Sequence, residues 1–460
     1  MLRYRCAARP LLLLGCLLWL AGCAIPSSRE NVELTAQLLD AQVPAPLEWR
    51  RDPQADSAAR QRAELLLADG LTLPEAIAVA FLASPDLQLA LEQLEISRSD
   101  FVAAVTPPNP VAVIGTREPG GDLAAFYPDR SISIGVLQNL ISLLDMPDRR
   151  AIARHDLQRA RLEAARRATV LAAQVAQGWI DYSAALRLRE LRLGNAALVR
   201  QGFDNAQQRA SANAATELDV AAQRGALLTA DASAVRATLA VETARAKLGE
   251  QLGIAGWRDD WQITAMLPPL PAADPDAAML ETAAIARRLD LRAAASTIDA
   301  RLRILAMQRR FRWLNQLDVG FFRDKAIGGT AFTGPNAVVE LALFDQRQAK
   351  LLNADAQLRT ALRRLEAAQL AARSEIRTRA AELRASRQLL TQLDEQILPN
   401  QRQMLALMGA GDPTDPQRLR LRLAMLGTDE DRVALLRDYW RARSGLALAA
   451  GDWAAVSTLR

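Results

Sequence analysis

The chain has 460 residues, half of them hydrophobic, with three cysteines, one histidine and a formal charge of +5. Cys6, Cys16 and Cys23 all fall at the start and His155 stands alone, so the counts all but exclude an internal disulfide, a His/Cys metal site and a Ser-His-Asp triad. Arginines and acidic residues alternate, as in RQRAELLLADG and RTRAAELRASR, which describes solvated helix faces and leaves no basic block for nucleic acid.

The first element is a leader. Arg3 and Arg5 precede the apolar run LLLLGCLLWL, which is shorter than the ~20 residues of a membrane-spanning helix and ends in small residues. Leu20-Ala21-Gly22-Cys23 resembles the bacterial lipobox, which implies cleavage before Cys23 and acylation of that cysteine; an ordinary signal peptide with an incidental cysteine is the alternative. Ala24, where an Asp favours inner-membrane retention, points to the outer membrane. Losing Arg3, Arg5 and Arg9 with the leader lowers the charge from +5 to +2. Nothing after Leu20 supplies 18 consecutive apolar residues, so any spanning part is a barrel or belongs to a partner. His155, within ARHDLQRAR, is expected on a solvated surface.

The body is written twice. EAIAVAFLASPDLQLA from Glu75 is similar to TAAIARRLDLRAAA from Thr282, LLDMPDRRA from Leu143 to ALFDQRQAK from Ala342, and ARAKLGEQLG from Ala244 to ARSGLALAAG from Ala442. The offsets stay near 200 residues and keep their order, as in a tandem duplication. In each copy a helix opens the unit. The first starts at the capping box Thr72–Glu75, with Pro74 in its first turn, and continues to about Ala104; the second runs from Met279 to Phe311. Two strand-like runs follow, Val111–Glu118 and Arg130–Asn139 in copy one, Leu317–Asp324 and Asn336–Phe344 in copy two. Ile132, Ile134 and Val136 share one face opposite Ser131, Ser133 and Gly135, and Val339, Leu341 and Leu343 oppose Val338, Glu340 and Ala342. That alternation suits a membrane β-barrel and equally a half-buried soluble hairpin.

A very long helix comes next in each copy, with Asp145 and Asp345 as N-caps; Leu358, Leu362, Leu365, Ala372, Ile376 and Leu383 mark a coiled-coil seam in the second. A shorter helix then returns, with Gly427-Thr428 a possible interruption of the last. The opening and returning helices together match the long one at about 90 Å, so two end-to-end helices can accompany one continuous helix. The resulting divisions are a signal peptide 1–22, a lipidated tether 23–70, a first repeat 71–253 (hairpin 111–139, long helix 148–207, return helix 216–251), a linker 254–278, a second repeat 279–453 (hairpin 317–344, long helix 346–408, return helix 412–450) and a tail 454–460.

The lipobox, the duplicated helix–hairpin–long-helix plan, SPDLQLA, RLDLRAA, VAAQRGALLTA, TELDV from Thr216 and the Ala244-Arg245 and Ala442-Arg443 pairs together resemble the bacterial outer-membrane efflux, or TolC-like, family. The resemblance implies a mainly α chain with a small β part: duplicated coiled-coil units and four strands, three chains forming an α-barrel below a 12-strand membrane β-barrel. It further implies no enzyme activity, no cofactor beyond lipid on Cys23, no nucleic acid, and a periplasmic adaptor and an inner-membrane pump as partners. The periplasmic turns are RASANAAT and GAGDPTDP. Asn213, Asp412 and Asp415 are the gate candidates there, and two readings stand: a ring of carboxylates, or plain helix caps. Glu340 is the candidate lumen-facing charge. The rival assignments are a periplasmic adaptor lipoprotein, which carries one helical hairpin among β-rich domains, and a helical scaffold lipoprotein.

Overall fold

The computed structural model describes residues 25–40, 43, 45–118, 130–257, 260–264, 266–326, 329–409 and 415–453. The expected signal peptide 1–22, Cys23, Asp412 and the tail 454–460 lie outside the described residues.

Residues 25–70 depart from the expected tether. They form α1 (Ser28–Asp40) and α2 (Pro53–Leu66), and bury Leu39, Val43, Ala63 and Leu67. Apolar positions one helical turn apart drive this, since Ala59 and Ala63 share the buried face of α2.

Each opening helix is also broken where one continuous helix was expected. α3 (Leu73–Ala83) starts at the predicted capping box, with the Glu75 carboxylate accepting from the Thr72 N–H at 2.9 Å. It stops at Ser84, whose ψ of 122° is extended because Pro85 disfavours the α conformation in the residue before it. α4 (Pro85–Val105) then resumes and leads into β1 (Val111–Arg117) and β2 (Ser131–Asn139).

After β2 come α5 (Leu140–Leu144) and the 66-residue α6 (Met146–Ser211). Asp145 does not cap α6 as expected; its carboxylate accepts from Arg149 Nε at 2.7 Å. α7 (Glu217–Leu252) begins with a capping box between Thr216 and Asp219 and ends at Gly253, φ 75°. A side chain at Gly253 would be strained by that φ and would press within 2.7 Å of the Ala83 carbonyl oxygen, so only glycine fits.

Copy two repeats the break by other means. α8 (Ala277–Arg287) and α9 (Leu289–Arg310) flank an extended Arg288, with no proline behind it. Here the Arg288 guanidinium fixes the joint, donating to Asp290 at 2.8 Å, to Glu375 at 2.9 Å and to the Ala449 carbonyl at 2.9 Å. β3 (Leu314–Ala326) contains the predicted 317–324 and extends it at both ends, whereas β4 (Ala331–Leu341) is displaced from the predicted 336–344. Pro335 sits inside β4, where a loop was expected, because β4 is an edge strand and one flank needs no N–H.

The second long helix starts at Gln348 rather than Gln346, since Arg347 has φ 57° and its N–H is bound to the Asp345 carboxylate at 2.9 Å. This is α10 (Gln348–Gln392). A π turn at Leu393–Ile397 separates it from α11 (Leu398–Leu407), so the predicted unbroken 346–408 helix is corrected. Pro399 accounts for this, having no N–H for the Glu395 carbonyl and a ring that pushes that carbonyl aside. α12 (Pro416–Ala450) is continuous through Gly427, contrary to the expected interruption, and ends at Gly451, φ 64°.

The strands form one antiparallel sheet in the order β1-β2-β3-β4, leaving β1 and β4 as edges. Gly320 in β3 is obligatory: a Cβ there would overlap the Val136 carbonyl oxygen at 1.8 Å.

Two compact units emerge. One comprises Met1–Asn31, Glu92–Arg161 and Arg292–Ala367, holds the sheet and has a small core of Leu94, Phe101, Val105, Leu157 and Ala160. The other comprises Val32–Leu91, Leu162–Leu291 and Ala368–Arg460 and holds the main core, around Phe81, Ile180, Leu248 and Trp440. The linker is clamped to that second core. Trp179 Nε1 donates to the Leu71 carbonyl at 3.3 Å, Leu71 pairs with Ile263, and Trp440 Nε1 donates to the Pro268 carbonyl at 3.0 Å. Asp274 receives Arg387 twice at 2.7 Å and Tyr439 OH at 2.6 Å.

Burial alone would raise the Asp274 pKa, but the hydrogen bonds from Arg387 and Tyr439 outweigh it and hold the carboxyl below its ordinary range. A depressed folded pKa means that the stability is present above the unfolded value of about 3.9 and is lost as pH falls through the folded one. Asp274→Asn should therefore destabilise by about 2 kcal/mol at pH 7, and the difference should shrink in acid below that unfolded value, read by urea unfolding across pH.

Candidate functional site: the exposed sheet and two helical turns

In a half-buried soluble hairpin the apolar set of alternate residues faces the core. This sheet does the reverse. Ile114 is 74% exposed, Ile134 55% and Val136 51%, whereas Ser131 is buried and Ser133 and Gly135 are half-buried. The register shows that the outward residues form continuous rows. Ala112, Val136, Phe321 and Pro335 make one row, and Val319 with Ala337 and Leu317 with Val339 extend the face. Arg323 and Lys325 share that face nearer the β3–β4 turn and close the apolar band.

The opposite face carries Ser133, Asn139, Asp318, Asp324 and Asn336 with Gly115, Gly135, Gly320 and Gly334, although Val111, Val113, Leu137, Phe322, Phe332 and Val338 also lie there. Asn139 Nδ2 donates to Asp318 Oδ1 at 2.7 Å across β2 and β3. Glu340 belongs to this face, opposite Val339, and is exposed; Asn315 Nδ2 donates to its Oε1 at 3.3 Å. No helix among the described residues is long and apolar enough to cross a membrane.

The two turns are built locally. Asn213 takes the left-handed conformation, φ 54°, at the end of α6. Its N–H donates to the Ala210 carbonyl at 3.0 Å and that of Ala214 to Arg209 at 2.7 Å, a Schellman closure in which Asn is tolerated next after Gly. Behind it, the Asp219 carboxyl is held below its usual range, first by the backbone N–H of Thr216 and then by its hydroxyl. In the second turn Asp415 is the N-cap of α12 and accepts from the Gln417 N–H at 2.9 Å. No hydrogen bond or ion pair joins Asn213 to Asp415 among the described residues: Asn213 serves its turn through its backbone and Asp415 through its side chain.

Arg418 was not visible as a functional residue. It is buried, and its guanidinium donates to the Met408 carbonyl at 3.1 Å and to that of Gly409, placing a cation on the C-terminal carbonyls of α11. Between turn and core, Arg192 pairs with Glu430 at 2.6 Å and Arg432 with Asp394 at 2.6 Å. Burial raises the Glu430 pKa in spite of Arg192. No sequence signal marks these pairs, because each joins helices far apart in the chain.

Neither a family model nor a curated protein sequence matches the chain. Solved structures do. A membrane protein from Pseudomonas aeruginosa aligns with a TM-score of 0.68 at 20% identity, over 82% of this chain and 92% of its own. The outer membrane protein VceC of Vibrio cholerae gives 0.67 at 14%, over 83% and 96%, and the Neisseria gonorrhoeae outer membrane channel MtrE, in its open state, 0.63 at 16%, over 83% and 89%. This is the TolC-like channel fold. Within it the rival adaptor plan has no place: the described strands form one four-stranded sheet, not several β-rich domains.

The outward apolar face makes a face-specific expectation. With this face set in lipid, Val136→Lys, in the wholly apolar row, should cost about 2–4 kcal/mol of membrane folding, while Ser133→Lys, on the other face, should cost well under half as much. Refolding yield into lipid vesicles, scored by protease protection, measures both.

Proposed function

We propose that the chain is one subunit of a trimeric exit duct in the outer membrane, the passive outer section of a tripartite efflux or secretion system. The outward-facing apolar side of a sheet with two free edges is the observation that carries this reading. Lipid offers no partner to an unpaired strand, so a four-stranded sheet must close against copies of itself. Three copies bring twelve strands into one ring. The TolC-like fold, found in MtrE and VceC as outer-membrane proteins, supports the same location.

In this reading Cys23 carries the lipid that fastens each chain to the outer membrane, and the helical part extends into the periplasm. Substrate enters from an inner-membrane pump through a periplasmic adaptor, and the duct itself performs no chemistry. Glu340 faces the lumen. The turns of Asn213 and of Asp412 and Asp415 form the inner mouth, where carboxylates from three chains favour cations.

Two measurements test it. The purified protein should have the mass of a trimer in detergent and fractionate with the outer membrane; a monomer in the soluble periplasm would defeat the proposal. At the mouth, Asp415→Asn keeps an N-cap but removes the charge, whereas Asp415→Ala removes both. In planar bilayers Asp412→Asn with Asp415→Asn should lower cation preference several-fold, while Asp415→Ala should also cost about 1 kcal/mol of stability. Unchanged selectivity with lowered stability for the alanine would leave Asp415 as a cap alone.

A further inference from the structure

Antiparallel order puts the start of β1, the end of β2, the start of β3 and the end of β4 at one rim of the sheet. Exposed apolar side chains gather there. Phe344 is 90% exposed, Leu343 70% and Trp313 62%, and Leu341 and Leu144 are exposed as well. Arg312 lies 4.9 Å from the centre of the Trp313 ring and its Nη2 donates to Gln346 Oε1 at 3.4 Å, which draws the RRFRW segment to the turn that bears Phe344.

The charge at this rim is unbalanced. Asp145 is taken by Arg149 and Asp148 by Arg310, each at 2.7 Å, and Asp345 accepts from the backbone N–H of Arg347. Among the described residues, Arg309, Arg312, Arg347 and Lys350 form no ion pair with a carboxylate, while Asp318 and Glu340 at the same rim accept from the neutral amides Asn139, Gln316 and Asn315, so the cations stay in excess. Arg347 is held only by neutral groups, Asn315 at 2.8 Å and Gln308 at 3.4 Å, and Arg312 Nε is buried with no hydrogen bond.

We infer that this rim binds the headgroups of anionic phospholipids, a partner read from exposed aromatics beside uncompensated cations. The inference rests on the proposal that the sheet lies in the membrane. Aromatic side chains settle at the boundary between headgroup and acyl chain, where ring and edge meet different media. At that depth Arg309, Arg312 and Lys350 stand level with the phosphates. A zwitterionic headgroup brings its own ammonium to the contact and leaves the cations uncompensated, whereas a phosphatidylglycerol headgroup neutralises one of them.

The test uses the full chain in phosphatidylcholine vesicles containing equal fractions of either brominated phosphatidylglycerol or brominated phosphatidylcholine. Flotation reports association, and tryptophan quenching reports which lipid lies beside Trp313. The chain has eight tryptophans, so Trp313→Phe isolates that component by difference. Brominated phosphatidylglycerol should quench the Trp313 component several-fold more than brominated phosphatidylcholine. Arg309→Gln with Lys350→Gln, which among the described residues breaks no ion pair, should reduce the preference, and Arg312→Lys should retain it. Equal quenching in protein that floats would overturn the headgroup site alone. A preference erased by soluble glycerophosphate would also overturn it, reassigning the cations to a free anion. Failure to float with either vesicle would instead remove the membrane reading on which the site stands.

Discussion

Everything distinctive about this chain follows from the polarity of its sheet. A strand carries a donor and an acceptor at every residue, and each must be paired wherever water is absent. β2 and β3 satisfy this through their neighbours, but β1 and β4 each have one bare flank. In water such a sheet would also expose Ile134, Val136 and Phe321 at a cost of about 25 cal/mol for each Å². One surrounding removes both penalties: hydrocarbon against the face and another strand against each edge.

The second unit supplies rigidity. Its core is not a simple helix-on-helix contact, because the linker is threaded between tryptophans and arginines. Arg245 stacks on Trp261 at 5.3 Å and Arg443 on Trp440 at 5.6 Å, so the two related Ala-Arg pairs perform related tasks. Tyr182 meets Trp261 edge-on, and Tyr439 meets Trp440 in the same way. Small residues let helices approach elsewhere: a Cβ on Gly202 would lie 2.6 Å from Leu419, so α6 and α12 are close just after the second turn ends.

Local chemistry was legible in the sequence, and long-range chemistry was not. The capping box at Thr72, the start of the return helix at Thr216 and the alternation in β2 each depend on neighbours within a few residues. Asn213 and Asp415 stood out as turn residues for the same reason. The helical character of residues 28–66 was missed because its apolar positions are sparse and acquire meaning only against the main core. β4 was placed too late because Gly334 and Pro335 imitate a loop, and only edge position excuses the proline. Glu430 and Arg288 act on groups separated by whole helices, and Arg418 reaches back across a turn to the end of the preceding helix, relations that helical spacing does not record.

The paired joints at Ser84 and Arg288 have unequal heritability. At the first, one residue, Pro85, writes the bend into the backbone itself. At the second, a guanidinium, two carboxylates and a carbonyl must all persist, since Arg288 left alone among them is a half-buried charge in search of an acceptor. More positions can therefore undo the second joint than the first, and a proline placed after Arg288 would write that bend into the backbone as well.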